Sequence, residues 1–273
     1  MRKTTTFAFV IVILVLFTSS AMLACSSQTP PSPQLPPSSP VPVPATIPVP
    51  PSPSQTNSSK IQFLAHATFL ITYGSGLKIL TDPYEVYSSL KYAPLNVSAD
   101  IVTVSHDHQD HNNAAAIGGQ PEIVKTTGTN TVKGIPIKSI ATWHDNVQGT
   151  RSGPNIVFCF TVDGIRFCHL GDLGHKLSTE QLAAVGSTYV LFMPVSGGPT
   201  IDAKTATEVG SDLKARIIIP MHYKTPKVGF ALAGVDDFLA GKENVKKVVG
   251  NIFELKVTEL PSSPLIVVLE SAN

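Results

Sequence analysis

The chain has 273 residues, 42% hydrophobic and only 14% charged, with a formal net charge of +1. A near-neutral chain without a basic run cannot neutralise many phosphates, which argues against a nucleic-acid partner.

Arg2 and Lys3 open the chain, residues 7–17 are almost unbroken apolar, and Met22-Leu23-Ala24-Cys25 follows. This reads as a secretory signal over residues 1–24, too short in its apolar core for a stable membrane span. Cys25 resembles the lipidated cysteine of bacterial lipoproteins, with Met22 where those signals favour Leu. The other reading is an ordinary signal cleaved near Ala24. Lipidation would leave the protein exported and held on the outer face of a bacterial membrane, touching it through the anchor alone. Within the linker 25–59, residues 29–54 are dominated by proline and predict a polyproline II stalk. At about 3.1 Å per residue it would reach roughly 70–80 Å.

Residues 60–273 are long enough for one domain with a full core. Residues 61–64, 68–73 and 77–80 read as short strands, the last two turned back by Gly74-Ser75-Gly76. Residues 84–97 hold three tyrosines and little periodicity, as a loop over a site would. Residues 101–104 read as a buried strand running into Ser105-His106-Asp107-His108-Gln109-Asp110-His111. Alternation in an extended chain points His106 and His108 to one side. A helix starting just after would turn Asp110 and His111 inward. Two neighbouring clusters of imidazole and carboxylate suit a pair of borderline divalent ions such as zinc. The alternative, a merely histidine-rich loop, gives packing no gain from such crowding.

Residues 137–142 form another strand, ending at Trp143-His144. Residues 155–162 and 165–170 pair as a hairpin around Asp163-Gly164, a favoured two-residue turn. In that register Cys159 faces Cys168 at a non-hydrogen-bonded position, where strands approach most closely. A disulfide, which an exported protein can keep, and two buried thiols both fit. Ser178-Thr179-Glu180-Gln181 caps a short helix, residues 189–193 form a strand, and Asp202 caps a helix to about residue 213. Strand 217–220, a helix near 235–239 and strands 253–257 and 265–269 complete the chain. Early hairpins and later alternation fit packed sheets with helices outside. His144, Asp172 and His222 all fall just past strand ends, which gather on one sheet edge.

The ordered set His106-x-His108-x-Asp110-His111, His144, Asp172, His222 resembles the metallo-β-lactamase-fold superfamily of hydrolases. Ile79-Leu80-Thr81-Asp82-Pro83, His169-Leu170-Gly171-Asp172-Leu173-Gly174-His175 and Ile218-Ile219-Pro220-Met221-His222-Tyr223 resemble its L-ascorbate-6-phosphate lactonase-like branch. The resemblance covers nearly all of residues 60–273. It implies an αββα sandwich, two face-to-face mixed sheets with helices outside. It further implies that His106, His108 and His144 hold one ion, Asp110, His111 and His222 a second, and that Asp172 bridges them. Zinc is the first expectation, and the same ligands tolerate manganese or iron. Asp82 would orient a ligand histidine from behind, or is simply a turn residue before Pro83. The commonest dinuclear β-lactamases carry cysteine at the Asp172 position, which argues against antibiotic hydrolysis.

Such an ion pair turns water into a nucleophile near neutral pH. The expected function is hydrolysis of a small-molecule lactone, other ester or phosphodiester, with Asp110 handling the proton. His66, His175, Tyr84, Ser196 and Lys224 are candidates to line the substrate pocket. Each also has a plain structural reading: a satisfied histidine, a loop residue, a mere turn or a solvated lysine. His169, out of phase with Leu170, reads as structural. Two readings of other classes stand beside hydrolysis: a non-catalytic metal- or ligand-binding lipoprotein, and an iron-dependent redox enzyme on the same fold.

Overall fold

The computed structural model describes residues 58–272. The expected signal, Cys25 and the proline-rich stretch 29–54 lie outside the described residues. In chain order the first strands are β1 (Ser58–Ala65), β2 (Thr68–Thr72), β3 (Lys78–Thr81), β4 (Ile101–Thr103) and β5 (Glu122–Val124). Then come β6 (Gly128–Val132), β7 (Ile135–Trp143), β8 (Pro154–Val162) and β9 (Ile165–His169). Helix α1 (Thr179–Val185), β10 (Val190–Pro194), α2 (Ala203–Asp212), β11 (Ile217–Met221) and α3 (Val235–Leu239) alternate after them. Strands β12 (Val245–Lys247), β13 (Ile252–Lys256) and β14 (Leu265–Val268) close the fold.

Two mixed sheets result, ordered β13-β1-β2-β3-β4-β5 and β12-β14-β11-β10-β9-β8-β7-β6. Strands β10 and β11, paired in parallel, are buried along their whole length, as apolar runs covered on both faces must be. Between the sheets lies a core rich in phenylalanine: Phe63 and Phe69 from one sheet meet Phe158, Phe160, Phe167 and Phe192 from the other. Phe69 stands 4.8 Å from Phe63 and 4.3 Å from Phe192 between ring centres. Truncating such a ring costs about 3–5 kcal/mol.

The outer face of the larger sheet is covered by helices, with Ala206, Val209, Leu213 and Phe238 packed on Val157, Leu191 and Met193. Both expected caps are present: Ser178 and Gln181 form a capping box, and Asp202 accepts from Thr205 N at 2.8 Å. On the smaller sheet, Leu70, Leu80 and Val102 are covered by Ala114, Ile117, Leu95 and Val97. Among the described residues that cover contains a 3-10 turn, Ala114–Ala116, and no α-helix. The helix expected directly after the histidine motif is therefore absent. A tight turn, His111 N to His108 O at 3.0 Å, replaces it. The β8–β9 register pairs Cys159 with Cys168, 4.2 Å apart between Cα atoms and disulfide-bonded.

Candidate metal centre

Six strands end at one rim. From the smaller sheet, β1 delivers His66, β3 delivers Asp82, and β4 delivers Ser105 to His111. From the larger sheet, β7, β9 and β11 deliver His144, Asp172 and His222. His66, Asp82 and His222 have φ of 58°, 36° and 53°, in the left-handed region that residues with a Cβ avoid. These turns swing the side chains off their strands into the cleft, and His222 N bonds back to His66 O at 2.9 Å. Close backbone approach completes the rim. A Cβ on Gly174 would lie 2.3 Å from Asp145 N, next to His144.

The side chains form two groups able to hold an ion: His106, His108 and His144, and His66, Asp110, His111 and His222. Asp172 stands between them. Its Oδ2 lies 3.1 Å from His144 Nε2, 3.2 Å from His111 Nε2, 3.1 Å from His222 Nε2 and 3.9 Å from His106 Nε2.

Each of four imidazoles is held from behind through Nδ1, which turns Nε2 to the centre. His111 Nδ1 donates to Asp82 Oδ2 at 2.9 Å. His106 Nδ1 donates to Ser105 Oγ at 2.9 Å, and that hydroxyl donates to Asp82 Oδ2 at 2.5 Å. His144 Nδ1 donates to the Pro199 carbonyl at 3.4 Å, and His222 Nδ1 meets Ser196 Oγ at 3.3 Å. Asp82 thus orients one imidazole directly and another through Ser105.

This donor set fits divalent cations. Three carboxylates, Asp82, Asp110 and Asp172, crowd with imidazoles in a largely buried space, where unpaired anions are costly. His111 Nε2 and Asp172 Oδ1 are buried without hydrogen-bond partners and carry lone pairs that a cation would take up. The chemistry is nitrogen and oxygen only, suited to zinc and its neighbours.

Electrostatics follow from the crowding. Burial pushes the Asp172 carboxyl up, but His111 and His222 outweigh it and hold the group well below the usual range. Burial pushes the His111 imidazole down, yet the Asp172 and Asp110 carboxylates raise it well above its ordinary value. His106 is pushed down to about 3 by burial and His111, and His66 to about 4 by burial and His222. His66 is therefore neutral, and because a carboxylate only accepts, its Nε2–H donates to Asp110 Oδ2 at 3.1 Å.

A cavity of about 390 Å³ opens onto the centre, walled by Asp110, Asp172, Tyr87, Ser152, Phe230 and Leu232, among others. Three expected pocket residues are corrected. Tyr84 is fully buried and donates its hydroxyl to Ala93 O; Tyr87, three residues on, faces the cavity instead. Lys224 spends its ammonium on the carbonyls of Val228 and Phe230. Ser196 is buried behind His222 rather than lining the cavity. His175 lies outside both ligand groups, accepts from Trp143 N at 3.1 Å and lines a neighbouring cavity. His169 is buried and bonds to Ala67 O at 2.9 Å, as a structural residue does.

The sequence did not announce Ser105, Asn155 or Asp145. Asn155 accepts from Asp172 N at 2.9 Å and donates to Leu170 O and Thr142 Oγ1, fixing the strand end that carries the central carboxylate. Asp145 accepts from the backbone N–H groups of Val147, Gly149, Arg151 and Ser152, which sets the loop after His144. Burial pushes its carboxyl up, but these four bonds win and hold it low.

A model of the beta-lactamase superfamily domain matches residues 60–222. A UPF0173 metal-dependent hydrolase of Pelotomaculum thermopropionicum is 31% identical over 195 residues, covering 61% of this chain and 85% of the relative. Another from Thermococcus onnurineus is 28% identical over 228 residues, covering 72% and 94%. A Thermotoga maritima structure, assigned as a Zn-dependent hydrolase of the metallo-β-lactamase superfamily, is similar with TM-score 0.65 and 39% identity. That match covers 78% of this chain and 99% of the other.

Proposed function

The chain belongs to the UPF0173 metal-dependent hydrolases of the metallo-β-lactamase superfamily, and from that premise we propose a dinuclear enzyme acting on a lactone, another ester or a phosphodiester. The observation that carries this reading is Asp172, one carboxylate oxygen within 3.2 Å of imidazole nitrogens from both ligand groups. In this reading His106, His108 and His144 hold one ion, Asp110, His111 and His222 the other, and Asp172 is shared. Zinc is the first expectation for these donors, with manganese and iron compatible.

When bound, such a pair polarises the electrophilic oxygen and lowers the pKa of water from 15.7 toward about 7. The chain's own groups do the rest. Asp82, Ser105, Ser196 and the Pro199 carbonyl hold ligand imidazoles from behind, so the centre is aligned before substrate arrives. Burial pushes the Asp110 carboxyl up, but His111 and His66 outweigh it, and the group stays ionised. Facing the cavity as a carboxylate, Asp110 receives the proton given up by attacking water. His66 donates to Oδ2 and thereby fixes that carboxylate. Tyr87 stays neutral, its phenol pushed up to about 12 by burial and the Asp110 charge.

The proposal includes export and a lipid anchor at Cys25. The charged, apolar, cysteine-ended start of the sequence supports it, as does the Cys159–Cys168 disulfide, a bond that persists in oxidising compartments.

The test is elemental analysis of the purified full chain beside Asp172→Ala and Asp110→Asn. Two ions per chain in the wild type, lost in Asp172→Ala, are expected. One ion in the wild type, or two retained in the variant, overturns the shared-carboxylate reading. Asp110→Asn should keep its circular dichroism and lose about 100-fold or more in turnover. Near wild-type turnover removes Asp110 from proton handling.

A further inference from the structure

The cavity in front of the ligands has unequal walls. Part of its lining is the ligand side chains with Ser152. Tyr87, Phe230 and Leu232 supply an apolar part, and among the described residues no lysine or arginine lines this cavity. The apolar wall belongs to two loops clamped together: Leu90 bridges Val228, Lys91 N bonds Lys227 O at 2.9 Å, and Gly229 N bonds Ser89 O at 2.7 Å. Tyr92 and Thr225 join their hydroxyls at 2.8 Å. Lys224, the cation next to His222, is consumed in holding this same loop.

Cations do stand nearby, but each is elsewhere or compensated. Arg151 and Lys176 line an adjoining cavity of about 630 Å³, which meets this one at Ser152 and Pro199 and also contains the carboxylates of Asp145 and Asp202. Lys176 is paired with Glu208 at 2.7 Å. Lys125 lines a third cavity, which includes His106 and meets this one at His108 and Ser152.

We propose that the substrate is a neutral carboxylic ester or lactone whose alkyl or aryl group lies against Tyr87, Phe230 and Leu232. The proposal deepens the hydrolase reading and rests on it. A phosphate or carboxylate on that part of the substrate would lose its water against three apolar surfaces and gain no counter-charge. An alkyl group gains there, roughly fourfold in affinity for each methylene buried. The reaction balances simply: water's oxygen joins the acyl carbon, the acyl C–O bond breaks, and the proton ends on the leaving alkoxide oxygen. A lactone gives the open hydroxy acid.

The experiment uses the zinc-loaded full chain with p-nitrophenyl esters from acetate to octanoate and with mono-p-nitrophenyl adipate. The adipate ester shares the reacting centre and length of the hexanoate and differs by a terminal anion. Expected is a kcat/KM rising roughly fourfold per methylene until the wall is filled, and a hexanoate preference over the adipate ester of about tenfold or more. Phe230→Ala and Leu232→Ala should flatten that slope. N-alkyl acetamides of increasing length, bound but not turned over and read by calorimetry, should show the same length dependence. A flat ester series, or an adipate ester that equals the hexanoate, overturns this inference and leaves the hydrolase standing. No turnover of any ester, nor of bis-p-nitrophenyl phosphate, with zinc, manganese or iron overturns both.

Discussion

Replacing Asp82 by Asn keeps the side chain's size and removes one of its two acceptors. Oδ1 accepts from Ser105 N at 2.9 Å, while Oδ2 takes the Ser105 hydroxyl at 2.5 Å and His111 Nδ1 at 2.9 Å. An amide cannot satisfy both positions. With its oxygen at the Oδ2 place, the NH2 faces a backbone N–H. With its NH2 there, His111 Nδ1 must become an acceptor, which moves the ring proton to Nε2, the atom 3.2 Å from Asp172. A partner behind a ligand histidine typically sets 10–100-fold in metal affinity, or about 1.4–2.7 kcal/mol. Asp82 is fully buried and serves His111 directly and His106 through Ser105. We therefore expect a loss near the upper end, about 100-fold, and at both ions rather than one. Ser105→Ala should weaken only the ion held by His106. Competition against a chromophoric chelator, titrated stepwise, reads both affinities, with a thermal melt to show that each variant is folded. An Asp82→Asn protein that holds either ion as the wild type does would refute the reasoning. So would a Ser105→Ala protein that weakens both ions equally.

Reducing the Cys159–Cys168 bridge, of sequence separation 9, removes about 2.6 kcal/mol of loop-closure stabilisation. Over about 215 folded residues that lowers Tm by roughly 6 °C. Calorimetry with and without reductant checks this, and equal melting temperatures would dismiss the bridge. For the metal-free protein, His66 and His106 are held down to about 4 and about 3, so the folded state binds fewer protons than the unfolded chain as pH falls below 6.5. Their stabilisation is full above pH 6.5 and is lost progressively toward pH 4, about 3 kcal/mol from His66 alone. The raised imidazoles of His111 and His144 contribute fully below 6.5 and leave that slope unchanged. A urea midpoint that stays level from pH 6.5 to 4.5 in chelator would contradict this. Gly174→Ala puts a Cβ 2.3 Å from Asp145 N and should cost about 1–3 kcal/mol. Metal content should fall with it, since the strained backbone adjoins His144; a variant with normal melting and normal metal content would show that the contact relaxes freely.

Elements with strong local signals were legible as sequence. The Asp163-Gly164 hairpin, the Ser178 capping box and the Asp202 cap needed no tertiary information, because turn and cap chemistry is local. Strands β5, β6 and β12 were not legible. In β6, Gly128–Val132, four of five residues are exposed, so no apolar alternation marks it, and it is a strand only because it pairs with β7 at the sheet edge. The helix expected after the histidine motif fails for a related reason. Asn113 N bonds Pro83 O at 2.7 Å, so the segment is tied to the β3 loop before it can wind. One outer face is consequently covered by loop rather than helix.

The candidate ligands were legible because histidine and aspartate immediately past buried strands gain nothing from packing, so their placement speaks of chemistry. What holds them was not, because its residue types are ordinary. Ser105, Asn155 and Asp145 acquire their roles from neighbours 23, 17 and up to 7 residues away. No residue type announces that His66, Asp82 and His222 sit in the left-handed region, at a typical cost of about 1–3 kcal/mol each. That cost is sustained by the backbone bond from His222 to His66, by three acceptor contacts on Asp82, and by the packed sheets beneath. Substrate choice divides the same way. The ligand set defines the reaction class, while the cavity wall rests on which of two tyrosines three residues apart turns inward. Tyr84 packs into the core with Leu90, Tyr92 and Val228, and that packing leaves Tyr87 to face the metal ligands. Loop packing, rather than the histidine motif, therefore sets the apolar wall on which the proposed preference for a neutral ester rests.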